Sequence, residues 1–158
     1  MLILAVSSAA SAAEFSFRSG ITWNTTPEQM LSAEGLAPGD GSYNEKPHNG
    51  YRFFYLKAHN VYYVYRGEQL LQAYTVLSAD AYAAELDRRT ALYGAPNGAE
   101  AQAVEALWNS LYPGGLTPGA AADTATWRLS DGTLAALFLA GGETCMSYFN
   151  EQSILAGE

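Results

Sequence analysis

The sequence has little of the chemistry that metal proteins and thiol enzymes use. Its 158 residues include one cysteine, Cys145, and two histidines, His48 and His59. A single cysteine excludes an intrachain disulfide. Neither histidine lies three or four residues from a second type of metal ligand on a predicted helix, so the spacing indicates no zinc site. We therefore expect no metal and no other cofactor.

Positive charge is also scarce. Eight lysine and arginine residues stand against sixteen acidic residues, which gives a formal net charge of −8. A field of this sign repels phosphate backbones and anionic lipid surfaces. The composition therefore argues against nucleic acid as a partner.

The chain has no hydrophobic run long enough to cross a membrane, so no transmembrane segment is predicted. Residues 1–13, MLILAVSSAASAA, form a short apolar run followed by small residues. Ser11-Ala12-Ala13 fits the small-x-small pattern before a signal cleavage point, although the positive n-region is missing. We expect cleavage after Ala13 and a secreted or periplasmic mature protein. The alternative is a buried N-terminal strand or helix. No cysteine follows the run, so nothing indicates a lipid anchor.

What the sequence does have is apolar and aromatic material. The hydrophobic fraction is 49%, the aromatic fraction is 13%, and eleven residues are tyrosine. This composition is typical of a well-packed globular protein, and residues 14–158 have the length of one domain. A tyrosine side chain combines a large apolar ring with a polar tip, which suits half-buried sheet faces and contact surfaces.

Hydrophobic periodicity and turn residues predict an α+β fold, with an antiparallel sheet packed on two to three helices in the order β-α-βββ-αα-βββ. The predicted strands are 15–23, 51–57, 61–66, 69–77, 125–130, 133–140 and 143–149. The predicted helices run from a cap at Thr25 or Thr26 to Gly35, from a cap at Asp80 to Gly94, and over 99–112. The segments 36–50 and 113–122 are predicted loops, and the tail from Asn150 is expected to fray.

Scattered motifs resemble those of poorly characterised secreted or lipoprotein-type bacterial domains. The chain has F-R-S-G-I-T-W at 17–23, T-P-E-Q-M at 26–30 and Y-G-A-P at 93–96, where such domains carry F-R-x-G-x-x-W-G, S-x-E-E-V and Y-G-x-P. Their layout is similar to that of the helix-on-sheet envelope modules of the outer-membrane assembly lipoprotein and β-lactamase-inhibitor type. The sequence departs from the pattern at Asn24, where glycine is usual. The resemblance implies a non-catalytic envelope role and transfers no catalytic residue.

Two groups of residues are candidates for catalysis. A nucleophilic Cys145 needs a nearby base or cation, and no local signature supplies one, so we interpret it as a small sheet residue. The carboxylates of Asp80, Glu85 and Asp87 are explained by helix capping and a solvated helix face. A secreted hydrolase that uses Cys145 or a carboxylate pair remains the alternative.

The candidate contact surface is aromatic. Tyr51, Phe53 and Tyr55 alternate along one strand and share a face, and Tyr63 and Tyr65 share a face of the next strand. The opposite faces of both strands are also apolar, so both sides of the sheet need cover. Either helices and a loop or neighbouring strand cover them, or a tyrosine-rich face is partly open and contacts a partner.

The function predicted from the sequence is that of a non-catalytic extracytoplasmic binding or interaction module of the bacterial cell envelope. Its partner would be another envelope protein or a glycan. The sequence identifies neither.

Overall fold

The computed structural model describes residues 13–112 and 124–157. The strands in this part of the chain are β1 (Tyr43–His48), β2 (Tyr51–Leu56), β3 (Val61–Arg66), β4 (Gln69–Ser78), β5 (Thr124–Arg128), β6 (Leu134–Ala140) and β7 (Glu143–Phe149). The helices are α1 (Pro27–Ala33), α2 (Tyr82–Tyr93), α3 (Ala101–Leu111) and α4 (Glu151–Ala156). Short 3-10 turns precede α1 and α2, at Arg18–Gly20 and Ala79–Ala81.

All described strands join one antiparallel sheet in the order β1-β2-β3-β4-β7-β6-β5. Two meanders, β1–β4 and β5–β7, meet where β4 pairs with β7, from Gln72 opposite Phe149 to Ser78 opposite Glu143. The last of the described strands therefore lies in the middle of the sheet. The fold is α+β, with helices packed against both faces of a seven-stranded antiparallel sheet.

One face, which we call the α2 face, is covered by the segment before α1, by α1 and by α2. Its buried side chains include Phe54, Tyr63, Tyr65 and Tyr148. Phe15 stacks on Trp23 with ring centroids 3.8 Å apart, and its N–H donates to the Asp131 carboxylate at 3.0 Å. The chain before α1 is thus fastened over the sheet.

The other face, which we call the α3 face, is covered by α3 and α4. The side chains that α3 buries are Val104, Leu107, Trp108 and Leu111. Helix α4 adds Ile154, which is buried against the same cluster. Together these helices cover the sheet from β5 to β4 and leave the α3 face of β1–β3 less covered.

Much of the predicted element order is confirmed. The three strands after residue 50, both central helices and the hairpin at Asp131-Gly132 lie where the periodicity placed them. Helix α1 begins with a capping box, in which the Thr26 side chain accepts from the Gln29 N–H and the Gln29 side chain accepts from the Thr26 N–H. The predicted connection at 113–122 lies outside the described residues, as do residues 1–12 of the predicted signal segment.

The predicted strand over 15–23 is wrong. The Phe17 N–H donates to the Ile21 carbonyl at 2.9 Å, and Ser19 and Gly20 both have positive φ, at 59° and 73°. A chain that doubles back in this way cannot be extended. The alternating apolar residues reflect packing over the α2 face instead of strand pairing.

The predicted loop over 36–50 is also wrong in part, because it contains β1. Asn49 and Gly50 have φ of 53° and 82°, the two positive values that a tight hairpin turn with the twist of its strands requires. This turn places His48 opposite Tyr51 and Tyr43 opposite Leu56. Strand β1 is exposed at nearly every position, so it has no hydrophobic alternation to signal it.

Three predictions at helix ends and surfaces are corrected. The tail from Asn150 does not fray but forms α4. The Asn150 side chain caps this helix, and the burial of Ile154 holds it in place. The side chain of Asp80 accepts from the Ser78 hydroxyl, and α2 has no side-chain cap. The carboxylate of Glu85 is buried and bound by Arg88 and Arg89, so it does not belong to the solvated helix face.

Strand β5 is buried on both faces instead of one. Asn97 forms backbone hydrogen bonds with Thr126, 2.8 Å and 3.0 Å long, and so covers the outer edge of the sheet. Thr126 and Trp127 project to opposite faces of β5, and both are buried.

Candidate binding groove

A groove lies on the α3 face of the first meander, between β1 and the end of α3. It encloses about 460 Å³, which lies within the range of small-molecule sites. The residues that line it are Asn44, Lys46, His48, Phe53, Phe54, Tyr55, Tyr62, Tyr74, Leu111 and Tyr112. Its floor is formed by β2, β3 and β4, and its two walls are formed by β1 and by the end of α3.

The floor is a row of tyrosines from three neighbouring strands. Cross-strand pairing places Tyr55 opposite Tyr62 and Tyr62 opposite Tyr74. The rings of Tyr55 and Tyr62 are stacked with centroids 4.6 Å apart, and those of Tyr62 and Tyr74 with centroids 4.5 Å apart. Tyr74 is buried, whereas Tyr55 and Tyr62 are half-buried. The row therefore runs from the core out to the open part of the groove.

The α3 wall is formed by Leu111 and Tyr112. The Tyr112 hydroxyl donates to the Tyr74 hydroxyl at 3.3 Å, and the Tyr112 ring lies 5.1 Å from the ring of Phe53. Trp108, one turn earlier, stacks on Tyr112 with centroids 5.0 Å apart. Burial raises the pKa of Tyr74 and Tyr112 above the usual range for tyrosine, so both phenols stay protonated.

The β1 wall is polar. Asn44, Lys46 and His48 alternate along β1 and project on the α3 face opposite Tyr55, Phe53 and Tyr51. The His48 ring lies within hydrogen-bond distance of the Asn49 side chain, at 3.2 Å. The groove thus combines an aromatic floor with a short row of polar groups at its edge.

The aromatic residues that the sequence pattern indicated as a contact surface lie on two different faces of the sheet. Tyr51, Phe53 and Tyr55 lie on the α3 face and are half-buried. Tyr63 and Tyr65 lie on the α2 face and are fully buried. The Tyr63 hydroxyl donates to Glu34 at 2.9 Å and the Tyr65 hydroxyl to the Thr25 carbonyl at 2.9 Å. Neither can contribute to a surface that includes the β2 residues.

Sequence reasoning missed the β3 and β4 members of the groove, Tyr62 and Tyr74. Leu56 pairs with Val61 across the turn at 57–60, so odd-numbered residues of β2 lie beside even-numbered residues of β3. The length of that turn is a signal in the sequence that could have identified Tyr62. No such signal existed for Lys46 and His48, because β1 itself was assigned to a loop.

Among the described residues, the side chains that are candidates for catalysis do not come together in an arrangement that could carry out a reaction. Cys145 is buried, and burial together with the Glu143 charge raises the pKa of its thiol above the usual range, which disfavours the nucleophilic thiolate. His48 and His59 are exposed. Glu100 and Glu151 come together, but both bind Arg128. Among the described residues, no three His, Cys, Asp or Glu side chains are grouped to hold a metal ion.

Comparisons with protein families, with curated proteins and with solved structures returned no match. No helix among residues 13–112 and 124–157 is long and apolar enough to span a bilayer. The groove is therefore the feature from which a function is inferred.

Proposed function

We propose that this protein is a non-catalytic binding module of the cell envelope and that its ligand binds in the aromatic groove. The observation that carries the proposal is the half-open row of stacked tyrosines, Tyr55, Tyr62 and Tyr74, between two walls of different character. A concave site with mostly aromatic lining and a few polar groups is the usual form of a binding pocket.

The burial of the aromatic side chains also supports this role. The sheet residues Phe54, Tyr63, Tyr65 and Tyr148 are fully buried on the α2 face, whereas Phe53, Tyr55 and Tyr62 on the α3 face are half-buried. Apolar surface that stays in contact with water costs free energy, and contiguous patches of it on soluble proteins tend to mark interaction sites. A ligand that covers these rings would recover that free energy.

The proposed compartment is extracytoplasmic, on the basis of the signal-like segment at residues 1–13. The carbonyl of Ala13 accepts hydrogen bonds from the N–H and the hydroxyl of Ser130, at 2.9 Å and 3.1 Å. Cleavage after Ala13 would remove that acceptor and leave the Phe15 to Asp131 bond as the anchor. N-terminal sequencing of exported protein tests the assignment, and a mature chain that starts at Met1 would contradict it.

The binding role is tested by blocking the groove without disturbing the core. Asn44 is exposed on β1 and pairs with Tyr55, so a tryptophan there would lie over the floor. Wild-type protein, Asn44→Trp and a control, Gln102→Trp on the exposed side of α3, are applied to arrays of glycans and of peptides. We expect Asn44→Trp to lose the wild-type signals and Gln102→Trp to retain them. Binding that survives in Asn44→Trp would reject the groove as the site.

A further inference from the structure

One cation in the groove has no partner. Of the eight lysine and arginine residues, Lys46 alone makes neither a hydrogen bond nor an ion pair within residues 13–112 and 124–157. The partnered residues are Arg18, Arg52, Lys57, Arg66, Arg88, Arg89 and Arg128. Its neighbour Glu45 projects on the other face and is paired with Arg52 at 3.0 Å. In a chain with a net charge of −8, an uncompensated ammonium beside an aromatic floor favours an anionic group on the ligand.

The remaining free polar groups of the groove can each donate a hydrogen bond. The Tyr62 hydroxyl and the Asn44 amide have no hydrogen-bond partner in the described part of the chain, whereas the Tyr55 hydroxyl donates to Asn60 at 2.8 Å. Burial raises the pKa of Tyr62, so its hydroxyl remains protonated and able to donate at neutral pH. An ammonium, an amide and a phenol at the edge of the groove together suit a ligand rich in oxygen acceptors.

The shape of the groove restricts the ligand further. Its floor is ring surface, on which a peptide laid flat would leave its backbone amides without partners. A pyranose ring has apolar C–H faces and carries its hydroxyls around its edge, so it can stack on the rings while its oxygens reach the polar wall.

Pairing of a peptide with the edge of β1 is also disfavoured. The Lys57 N–H donates to the Ser42 carbonyl at 3.1 Å. Because bonded pairs alternate along an antiparallel ladder, this bond directs the backbone groups of Tyr43, Glu45 and Pro47 away from β2. Pro47 has no N–H to offer an added strand, and proline and charged residues are common protective devices at sheet edges.

We propose that the groove binds a carboxylate-bearing sugar residue of an acidic glycan, with the carboxylate paired with Lys46 and the ring against the aromatic floor. The inference depends on the proposed function and names its ligand class. The ammonium of Lys46 supplies a charge-assisted hydrogen bond, and Asn44 and Tyr62 supply donors to hydroxyl or ring oxygens. The bond is exposed to solvent, so salt weakens it.

The test compares acidic and neutral forms of the same sugars. Digalacturonic acid, its dimethyl ester and a hyaluronan tetrasaccharide are titrated to about 10 mM, a concentration that reveals millimolar binding, while backbone NMR shifts of β1–β3 are followed. We expect at least one acid to shift these signals. We also expect digalacturonic acid to bind about two- to fivefold more tightly than its ester, since an exposed ion pair stabilises a complex by about 0.5–1 kcal/mol.

Matched variants test whether the ammonium of Lys46 is the group that binds the carboxylate of the ligand. Lys46→Gln should weaken binding of digalacturonic acid about two- to fivefold, to the level of the ester, because the exposed ion pair with the carboxylate is lost. Lys57→Gln removes another exposed lysine, whose ammonium binds the Gly41 carbonyl outside the groove, and should leave binding unchanged. Lys46→Arg keeps the charge and should retain the preference for the acid.

The outcomes separate this inference from the proposed function. Equal binding of acid and ester, or full acid binding by Lys46→Gln, overturns the acidic-sugar assignment and leaves a binding groove. The same holds if no sugar shifts the groove signals but an acidic peptide does. If neither sugars nor peptides shift them and Asn44→Trp matches wild type on the arrays, both proposals are rejected.

Discussion

The rings of Tyr62 and Tyr74 lie parallel on neighbouring strands, with an interplanar angle of 0° and centroids 4.5 Å apart. Tyr62 is half-buried, whereas Tyr74 is 6% exposed and also contacts Trp108 and Tyr112. The pair joins the open groove to the core of the α3 face. Changes at its two members should therefore differ in their cost to stability.

We expect Tyr74→Ala to lower the free energy of unfolding by about 3–5 kcal/mol, because it empties a buried aromatic site. Tyr62→Ala should cost less than half as much, since water already reaches that ring. Tyr74→Phe keeps the ring but removes the acceptor for the Tyr112 hydroxyl, a loss of about 1 kcal/mol. Urea unfolding of the three variants measures these differences, and equal costs for Tyr62→Ala and Tyr74→Ala would contradict the arrangement.

Alkaline pH should destabilise the protein through its buried phenols. Burial raises the pKa of Tyr63, Tyr65, Tyr74, Tyr112 and Tyr148 above the value they have in the unfolded chain. Their stabilising contribution is complete below the unfolded pKa of about 10 and is lost as the pH rises above it, because the unfolded chain then releases protons that the folded chain retains.

Each of these phenols should remove up to about 1.4 kcal/mol of stability per pH unit above about pH 10. Cys145 adds a similar loss from about pH 8.5, so the measurement is made in Cys145→Ala. Urea unfolding between about pH 8 and about pH 11, with tyrosinate absorbance followed in parallel, tests the expectation. Tyr74→Phe should reduce the slope; a free energy of unfolding that does not change over this range would refute the burial of these hydroxyls.

The final helix should contribute to stability through one side of α4. Ile154 is 1% exposed and its neighbour Leu155 is 51% exposed. Ile154→Ala should therefore cost about 2–5 kcal/mol, whereas Leu155→Ala should change the free energy of unfolding by less than about 0.5 kcal/mol. Thermal and urea unfolding measure both variants. Similar small effects for the two would mean that α4 is not held against the sheet.

The open edge of the sheet should resist self-pairing. If two copies aligned their β1 strands antiparallel about Glu45, the two Glu45 carboxylates would lie opposite each other and each Pro47 would leave a carbonyl unpaired. Replacing both residues with threonine should raise the dimer fraction in analytical ultracentrifugation. The control is the same pair of changes at Pro38 and Glu68, which are exposed in a loop and a turn. An unchanged monomer in the Glu45 and Pro47 variant would show that another feature protects this edge.

Strong periodicity and turn chemistry were sufficient to predict the centre of the fold. Helix α3 repeats apolar residues at helical spacing from Val104 to Leu111, and all four inward positions are buried. Strand β7 has the predicted bounds, because Gly141-Gly142 and Asn150 delimit it. Local signals of this kind need no knowledge of distant contacts.

The errors arose where distant contacts decide the structure. Strand β1 has an exposed, proline-containing sequence and is a strand because β2 pairs with it. Glu85 looked like a surface residue of α2, but Arg89 binds it and also donates to the Tyr148 hydroxyl at 3.1 Å on the far strand β7. The groove was missed for the same reason, because its structure also depends on distant contacts. One of its walls is β1, and its floor depends on a strand register that alternation alone does not give.

The position of β7 between β4 and β6 has a consequence for biogenesis. This strand follows the other six described strands in the chain, and in the described sheet the two meanders pair with each other only through it. Until it arrives, β4 and β6 each lack a neighbour, and the Gln72 to Phe149 register cannot form. A nascent chain would thus lack a complete sheet until Phe149 has been synthesised. Chains truncated before Glu143 should be substrates for proteases and chaperones instead of stable half-domains.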